Sequence, residues 1–199
     1  MRTTRTRTTL LALALGAGLT LTACGSDDST VDQPAAAETV NGISTAHNDA
    51  DITFLNDMTP HHSGAVAMAE LAPDRAQSQE VKDLAARILD AQQPELTTME
   101  DMAEAWGVEL AANGGGGHGG HGGGGMDMDA DTAALEPLSG AEFDREFLTR
   151  MIAHHEGALP MAEAEVADGE NPQAQELART IISTQEAEIA EMKGLLAQL

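Results

Sequence analysis

The chain has 199 residues and carries 33 acidic against 10 basic side chains, a formal net charge of −23 at pH 7. Such a field repels nucleic acid and anionic lipid and concentrates cations, although it also serves plain solubility. The single cysteine excludes an intramolecular disulfide. The length suits one domain, or two small repeats that share a core.

Residues 1–23 are predicted to be a lipoprotein signal peptide. Arginines precede an apolar stretch, Leu10–Leu21, that is too short to span a bilayer comfortably. The stretch ends in Leu21-Thr22-Ala23-Cys24, which is similar to the lipobox of bacterial lipoproteins. The similarity implies cleavage before Cys24 and its lipidation, which anchors the protein to the extracytoplasmic side of the cell membrane. The alternative is an ordinary signal peptide followed by an incidental cysteine.

Two further segments lack a periodic apolar pattern. Residues 24–47 are rich in Ser, Asp, Thr, Ala and Pro, which predicts a disordered tether. Residues 107–139 are dominated by Gly, with His, Met and Asp, and are predicted to be a flexible linker. The linker is either a spacer with incidental histidines or a tract that wraps a soft metal ion. Its candidate ligands are His118, His121, Met126 and Met128.

The remaining segments, 48–106 and 140–199, are versions of each other. A shift of 93 positions aligns them without a gap and gives 17 identities over the 49 positions that begin at Asp51. Among the identical positions are the tandem histidines of each copy. We interpret this pattern as an internal duplication.

Each copy is predicted to form a helical hairpin. At about 100° per residue, apolar side chains and the histidine pair share one face of the first helix. The second helix has apolar residues at alternating steps of three and four, the seam that packs in bundles. Strand signals are absent. Two hairpins joined by a long linker predict an all-α four-helix bundle.

Polar residues interrupt the apolar seam of each second helix, at Gln92 and Glu95 and again at Gln185 and Glu188. A buried carboxylate without a partner is costly, so we expect it to face the tandem histidines of the neighbouring helix. Adjacent positions on a helix diverge by about 100°, so one histidine of each pair can bind an ion while the other bonds the glutamate. The alternative is a histidine–glutamate network without metal. The four histidines are His61, His62, His154 and His155.

Methionines flank both histidine pairs. Met58 and Met68 lie three positions before and seven after His61, and Met99 enters from the second helix. The second copy repeats them as Met151, Met161 and Met192. Thioether sulfur selects Cu(I), and imidazole also accepts Cu(II), Zn and Ni. The pattern therefore favours copper, as Cu(I) or Cu(II), over the alternative that the methionines only fill the core.

Three prolines, Pro60, Pro94 and Pro160, fall inside the predicted helices. A proline within a helix removes a backbone hydrogen bond and kinks the helix. Pro60 could instead occupy the first turn of a helix that begins later than predicted.

The paired motifs resemble the family known as domain of unknown function 305. The resemblance rests on Phe54, Met58, the histidine pair and Met68, followed by Gln92, Glu95 and Met99, with the same pattern from Phe147 to Met192. It covers about residues 48–106 and 141–197. The resemblance implies a ferritin-like four-helix bundle, commonly exported, with some members linked to periplasmic copper binding and tolerance. The matching positions here are the histidine pairs and their flanking methionines.

The favoured function is a copper-binding lipoprotein of the cell envelope that sequesters or buffers the ion and is not an enzyme. Its expected partners are the membrane, through Cys24, and a metal ion, with no nucleic acid. One alternative is a ferritin-like metal-dependent oxidase, but the Glu-x-x-His pairs of di-iron bundles are absent from the two motifs. The other is an interaction module whose polar clusters only fix the register of the helices.

Overall fold

Four long helices make up most of the computed structural model, which describes residues 38–110 and 128–199. The long helices are α1 (Asp49–Ala69), α3 (Gln79–Trp106), α5 (Gly140–Asp168) and α6 (Pro172–Leu196). The short elements are the strands β1 (Thr39–Val40) and β2 (Ile43–Ser44) and the helices α2 (Ala72–Arg75) and α4 (Met128–Leu135). The predicted all-α bundle is confirmed, with one small hairpin added.

The helices α1 and α5 lie at the centre of the bundle and run antiparallel. The amide of Asn48, at the start of α1, donates to the carbonyl of Asp168 at the end of α5 (2.9 Å). α3 packs on α1 and α6 packs on α5, so each hairpin contributes one inner and one outer helix. The core includes apolar side chains at positions paired by the 93-residue shift, such as Phe54 with Phe147 and Leu55 with Leu148.

Two buried aspartates, Asp51 and Asp144, join the hairpins. Asp144 on α5 accepts hydrogen bonds from the backbone N–H groups of Gln77 (2.9 Å) and Ser78 (2.8 Å), where α3 begins. Asp51 on α1 does the same for Glu170 (3.1 Å) and Asn171 (2.9 Å), where α6 begins. All of these residues correspond under the 93-residue shift. The matching bonds support the duplication and give the bundle an approximate twofold axis between α1 and α5.

The predicted tether, residues 24–47, is wrong for its last ten residues, because the chain from residue 38 is folded against the bundle. Asn41 and Gly42 both have positive φ (53° and 85°), as the tight turn of a two-residue hairpin requires. Side chains of the bundle then bond the hairpin backbone. Trp106 Nε1 donates to the carbonyl of Ser44 (2.9 Å), and Gln173 accepts from its N–H (2.7 Å). The signal for this hairpin was Asn-Gly between Val40 and Ile43, which the composition of the tether obscured.

The predicted linker, residues 107–139, also includes a folded part. Helix α4 packs on α1 and α5, because its Leu135 is fully buried in the core and its Asp131 forms an ion pair with Arg150. Among the linker candidates, Met128 is the first residue of α4. His118, His121 and Met126 lie outside the described residues, as do Cys24 and the predicted signal peptide.

All three prolines lie within helices. The alternative position for Pro60 is wrong, since α1 already begins at Asp49, where Asn48 and Asp51 form a capping box. In residues 38–110 and 128–199, none of the helices has the length and apolar character needed to cross a bilayer.

Candidate metal site

The four tandem histidines come together in the middle of the bundle. His61 is 4% exposed, and the other three are completely buried. The rings of His61 and His154 touch across the approximate twofold axis, with centroids 3.7 Å apart and planes tilted by 43°. The first histidine of each pair therefore meets its counterpart from the other hairpin, a contact that the sequence did not predict.

The second histidine of each pair faces a glutamate on the outer helix of its own hairpin. His62 Nε2 donates to Glu95 (2.8 Å), and His155 Nε2 donates to Glu188 (2.8 Å). The predicted histidine–glutamate pairing is confirmed in both copies. These bonds fix the two rings and leave each Nδ1 without a hydrogen-bond partner among the described residues.

The two central histidines are held in the neutral form. Burial, together with the neighbouring histidines, lowers the pKa of His61 to about 3 and that of His154 to about 2. The backbone of the facing histidine raises each pKa slightly and so offsets part of this lowering. Neither ring, however, forms a hydrogen bond of good distance and angle to that backbone. A neutral imidazole has a free lone pair on one nitrogen, which is the form that binds metals.

Unpartnered polar atoms surround this pair. Within the described part of the chain, neither ring nitrogen of His61 or His154 forms a hydrogen bond. The side-chain amides of Gln92 and Gln185, each 2% exposed, also have no partner among the residues that the structure describes. Leaving one buried polar group unpaired costs about 1–3 kcal/mol, so such groups are normally satisfied by protein, water or an ion. Gln92 and Gln185 each lie one helical turn before the glutamate that bonds a histidine, so these unpaired groups are candidate ligand contacts near the histidines.

Four fully buried methionines are candidate sulfur ligands. Met58 and Met151 are fully buried one helical turn before His61 and His154, a rise of about 4.5 Å. Thr59 lies 3.7 Å from the sulfur of Met99, which places Met99 beside the same turn of α1. By the 93-residue shift, Met192 corresponds to Met99, and it is likewise fully buried.

The other two predicted methionines lie farther away. Met68 and Met161 are seven positions beyond His61 and His154, about 10 Å along the helix. Met68 is fully buried and Met161 is partly buried. Both pack in the core, but helix geometry does not bring them beside the central histidines.

The donor set fits a soft ion better than a hard one. Within residues 38–110 and 128–199, no group of three or more His, Cys, Asp or Glu side chains is arranged to hold a metal ion. The two nearby carboxylates, Glu95 and Glu188, already bond histidines, which leaves imidazole nitrogen and thioether sulfur. The ring centroids of His61 and His154 are 3.7 Å apart, so the ring faces are in contact and leave no room for an ion between them. A metal binds an imidazole nitrogen at about 2 Å, at the edge of the ring, so an ion shared by the two histidines would lie beside the ring pair.

Comparison with known proteins gives a consistent result. The family model for the domain of unknown function DUF305 matches residues 51–196. The crystal structure of a DUF305 fragment from Deinococcus radiodurans is similar with a TM-score of 0.65 and 30% identity, over 76% of this chain and 98% of that one. CopM in its Cu(II)-bound form is similar with a TM-score of 0.63 and 37% identity, over 74% and 96% of the two chains.

Further structures of CopM in Cu(I)-bound, Ag-bound and apo forms also match. A presumed secreted DUF305 protein of Streptomyces coelicolor has a TM-score of 0.62 and 28% identity, over 75% of this chain and 93% of that one. A search of curated proteins found no match.

Proposed function

Because this chain belongs to the DUF305 family, we propose that it binds copper outside the cytoplasm, to sequester or buffer the ion rather than to catalyse a reaction. The observation that carries the proposal is the central pair, His61 and His154. Both rings are buried and neutral, have no hydrogen-bond partner in residues 38–110 and 128–199, and meet where the two hairpins join.

The structures of CopM support the choice of metal. CopM has been solved with Cu(I), Cu(II) and Ag, and this chain is 37% identical to it in the Cu(II)-bound comparison. Cu(I) and Ag are soft ions, and soft ions prefer sulfur and imidazole ligands to carboxylates. The buried donors in the centre of this bundle are of those two kinds.

The candidate ligands have different roles according to where they lie in the bundle. We assign the central nitrogen ligands to His61 and His154, so that one ion is shared by both hairpins. Sulfur ligands come from the methionines within one turn of them, namely Met58, Met99, Met151 and Met192. His62 and His155 are positioning residues, because Glu95 and Glu188 fix their rings. The linker residues His118, His121, Met126 and Met128 form a separate candidate site.

The location is part of the same proposal. We assign Cys24 as a lipid attachment site that holds the protein on the extracytoplasmic side of the membrane. The presumed secretion of the Streptomyces relative supports export of the family, and the lipobox-like sequence supports the anchor. Metabolic labelling with a fatty acid, compared between the wild type and Cys24→Ala, tests the anchor.

An anaerobic Cu(I) titration against a competing chelator tests the binding site. The chain that begins at residue 25 is compared with two variants, His61→Ala/His154→Ala and His118→Ala/His121→Ala. The wild type and the linker variant, His118→Ala/His121→Ala, should bind Cu(I) with equal affinity. The bundle variant, His61→Ala/His154→Ala, should bind at least about 100-fold more weakly. Removal of a residue that supports a ligand lowers metal affinity about 10–100-fold, and loss of the ligands themselves should lower it at least as much. Equal binding by wild type and bundle variant would reject the site.

A structural role without metal is the second candidate. It is favoured by the 3.7 Å contact between the central rings and by the two histidine–glutamate bonds, which are complete without an ion. A ligand that binds only the folded state must stabilise it. A thermal midpoint that does not respond to Cu(I), Ag(I) or Cu(II) would favour this second role.

A further inference from the structure

A second buried polar cluster lies at the junction where the start of α1 meets the turn between α5 and α6. We call it the Asp51 junction and define it by Asn48, Asp51, Glu165, Glu170 and Asn171. Asp51 accepts hydrogen bonds from the backbone N–H groups of Asn48 (2.7 Å), Glu170 (3.1 Å) and Asn171 (2.9 Å). Burial alone would raise the pKa of Asp51, but these bonds outweigh burial and lower it. Asp51 is therefore an anion.

Glu165 sits next to this anion and is 1% exposed. Neither of its carboxyl oxygens receives a hydrogen bond from a donor in the described part of the chain. The carboxyl group lies directly against the turn, because a Cβ atom at Gly169 would fall 2.2 Å from its Oε1. The side chain close enough to share a hydrogen bond with it is Asp51.

The charged groups around Glu165 offer no compensation. Asp51 faces it from α1, and Asp168 and Glu170 lie exposed on the turn. The last turn of α5 contains no basic residue. On α6, the nearest arginine, Arg179, is exposed and bonds Gln175 and Glu176. A second negative charge at Glu165 would thus lie in a buried place beside an existing one.

The other copy provides an internal control. At the matching junction, Asp144 bonds Gln77 and Ser78 in the same way, but the positions that correspond to Glu165 and Gly169 are Ala72 and Ala76. The junction around Asp144 therefore forms without a second acid, so Glu165 is not required for the bonds that Asp51 makes. In the second copy a larger acidic side chain is accompanied by the loss of a side chain at Gly169, which makes the room it occupies.

We propose that Glu165 keeps its proton and uses it to donate a hydrogen bond to Asp51. The resulting carboxyl–carboxylate pair locks this junction at neutral pH, and loss of the proton in alkali opens the junction. One proton and one negative charge are shared by the pair. When the proton leaves to solvent, two carboxylates face each other and the bond between them is lost.

The electrostatics agree with this geometry. Burial, together with the hydrogen bond and charge of Asp51, raises the pKa of Glu165 to about 8. In the unfolded chain the same group has an ordinary pKa of 4.5. Between pH 4.5 and about 8, folding is therefore accompanied by uptake of a proton at Glu165. The stability that Glu165 contributes is complete below pH 4.5 and is lost as the pH rises through about 8.

The junction also holds the β-hairpin, which gives a convenient probe. Asn171 Nδ2 donates to the carbonyls of Ser44 (3.0 Å) and Ala46 (2.8 Å). The only tryptophan in the chain, Trp106, donates to Ser44 and stacks on His47, with ring centroids 4.7 Å apart. Opening of the junction should release the hairpin from Trp106 and change its fluorescence.

The test compares the wild type with Glu165→Gln, and with Glu163→Gln as a matched change on the exposed face of the same helix. Unfolding constants are measured by urea titration from pH 6 to 10, and Trp106 fluorescence is followed without denaturant. The unfolding constant of the wild type should rise relative to that of Glu165→Gln by up to about tenfold per pH unit between pH 6 and 8, and then level off. Glu163→Gln should follow the wild type.

A second measurement on the wild type keeps the proposal testable if Glu165→Gln fails to fold. Infrared spectra at pH 7 should contain the carbonyl band of one protonated carboxylic acid, and this band should vanish by pH 10. Absence of the band at pH 7, or equal pH dependence in wild type and Glu165→Gln, would overturn the proposal.

Discussion

Replacement of Asp144 by alanine tests how the hairpins are joined. The carboxylate is 1% exposed and accepts two backbone hydrogen bonds, from Gln77 (2.9 Å) and Ser78 (2.8 Å). A hydrogen bond to a charged group contributes about 1.5–3 kcal/mol, and the two backbone donors, which lie in part-buried positions, would lose their acceptor. Because neighbouring contributions are not additive, we expect a loss of about 3 kcal/mol in the free energy of unfolding.

Urea denaturation measures this loss. With an m-value of about 2 kcal/mol/M, the midpoint of Asp144→Ala should fall by about 1.5 M. The control is Glu142→Ala, which removes an exposed carboxylate from the first turn of the same helix. Its favourable interaction with the helix dipole is worth about 0.3–1 kcal/mol, so its midpoint should move by less than about 0.5 M. A shift for Asp144→Ala no larger than that of the control would refute the reasoning.

Three further outcomes follow from the contacts around the site and the hairpin. Glu95→Gln/Glu188→Gln should lower the affinity for Cu(I) about 10–100-fold without unfolding the chain, and competitive titration measures this loss. The reason is that His62 and His155 lose the carboxylates that orient their rings. Trp106→Phe removes the hydrogen bond to Ser44, so it should lower the free energy of unfolding by about 1 kcal/mol in urea denaturation. The same change should speed amide hydrogen exchange in residues 39–44. Copper at 100 times its dissociation constant should stabilise the wild type by about 2.7 kcal/mol in thermal unfolding, but not His61→Ala/His154→Ala.

Much of the fold followed from two periodic patterns in the sequence. The apolar steps of three and four predicted the long helices, and the 93-residue shift predicted which side chains occupy equivalent places. Glu95 and Glu188 were assigned partners correctly, because a carboxylate within an apolar seam needs a donor and the tandem histidines were the available ones.

The remaining features depend on how the hairpins meet, which no local pattern encodes. The contact between His61 and His154 requires α1 and α5 to be neighbours, whereas the apolar pattern of each hairpin does not specify which helices of the two hairpins meet. The buried Glu165 was missed because it looks like one more acidic residue in a chain with 33 of them. The β-hairpin was missed because Asn41-Gly42 lies in a segment whose overall composition resembles a disordered tether.

The central claim is that one copper ion is shared by the two hairpins through His61 and His154. Cu(I) stoichiometry in the single variants His61→Ala and His154→Ala tests it most directly. Both are made in a background with the linker candidates His118, His121, Met126 and Met128 replaced by alanine. A shared site predicts that either single change abolishes tight binding while circular dichroism stays unchanged. If each variant instead retained half of the bound copper at full affinity, the hairpins would hold separate ions and the shared site would be wrong.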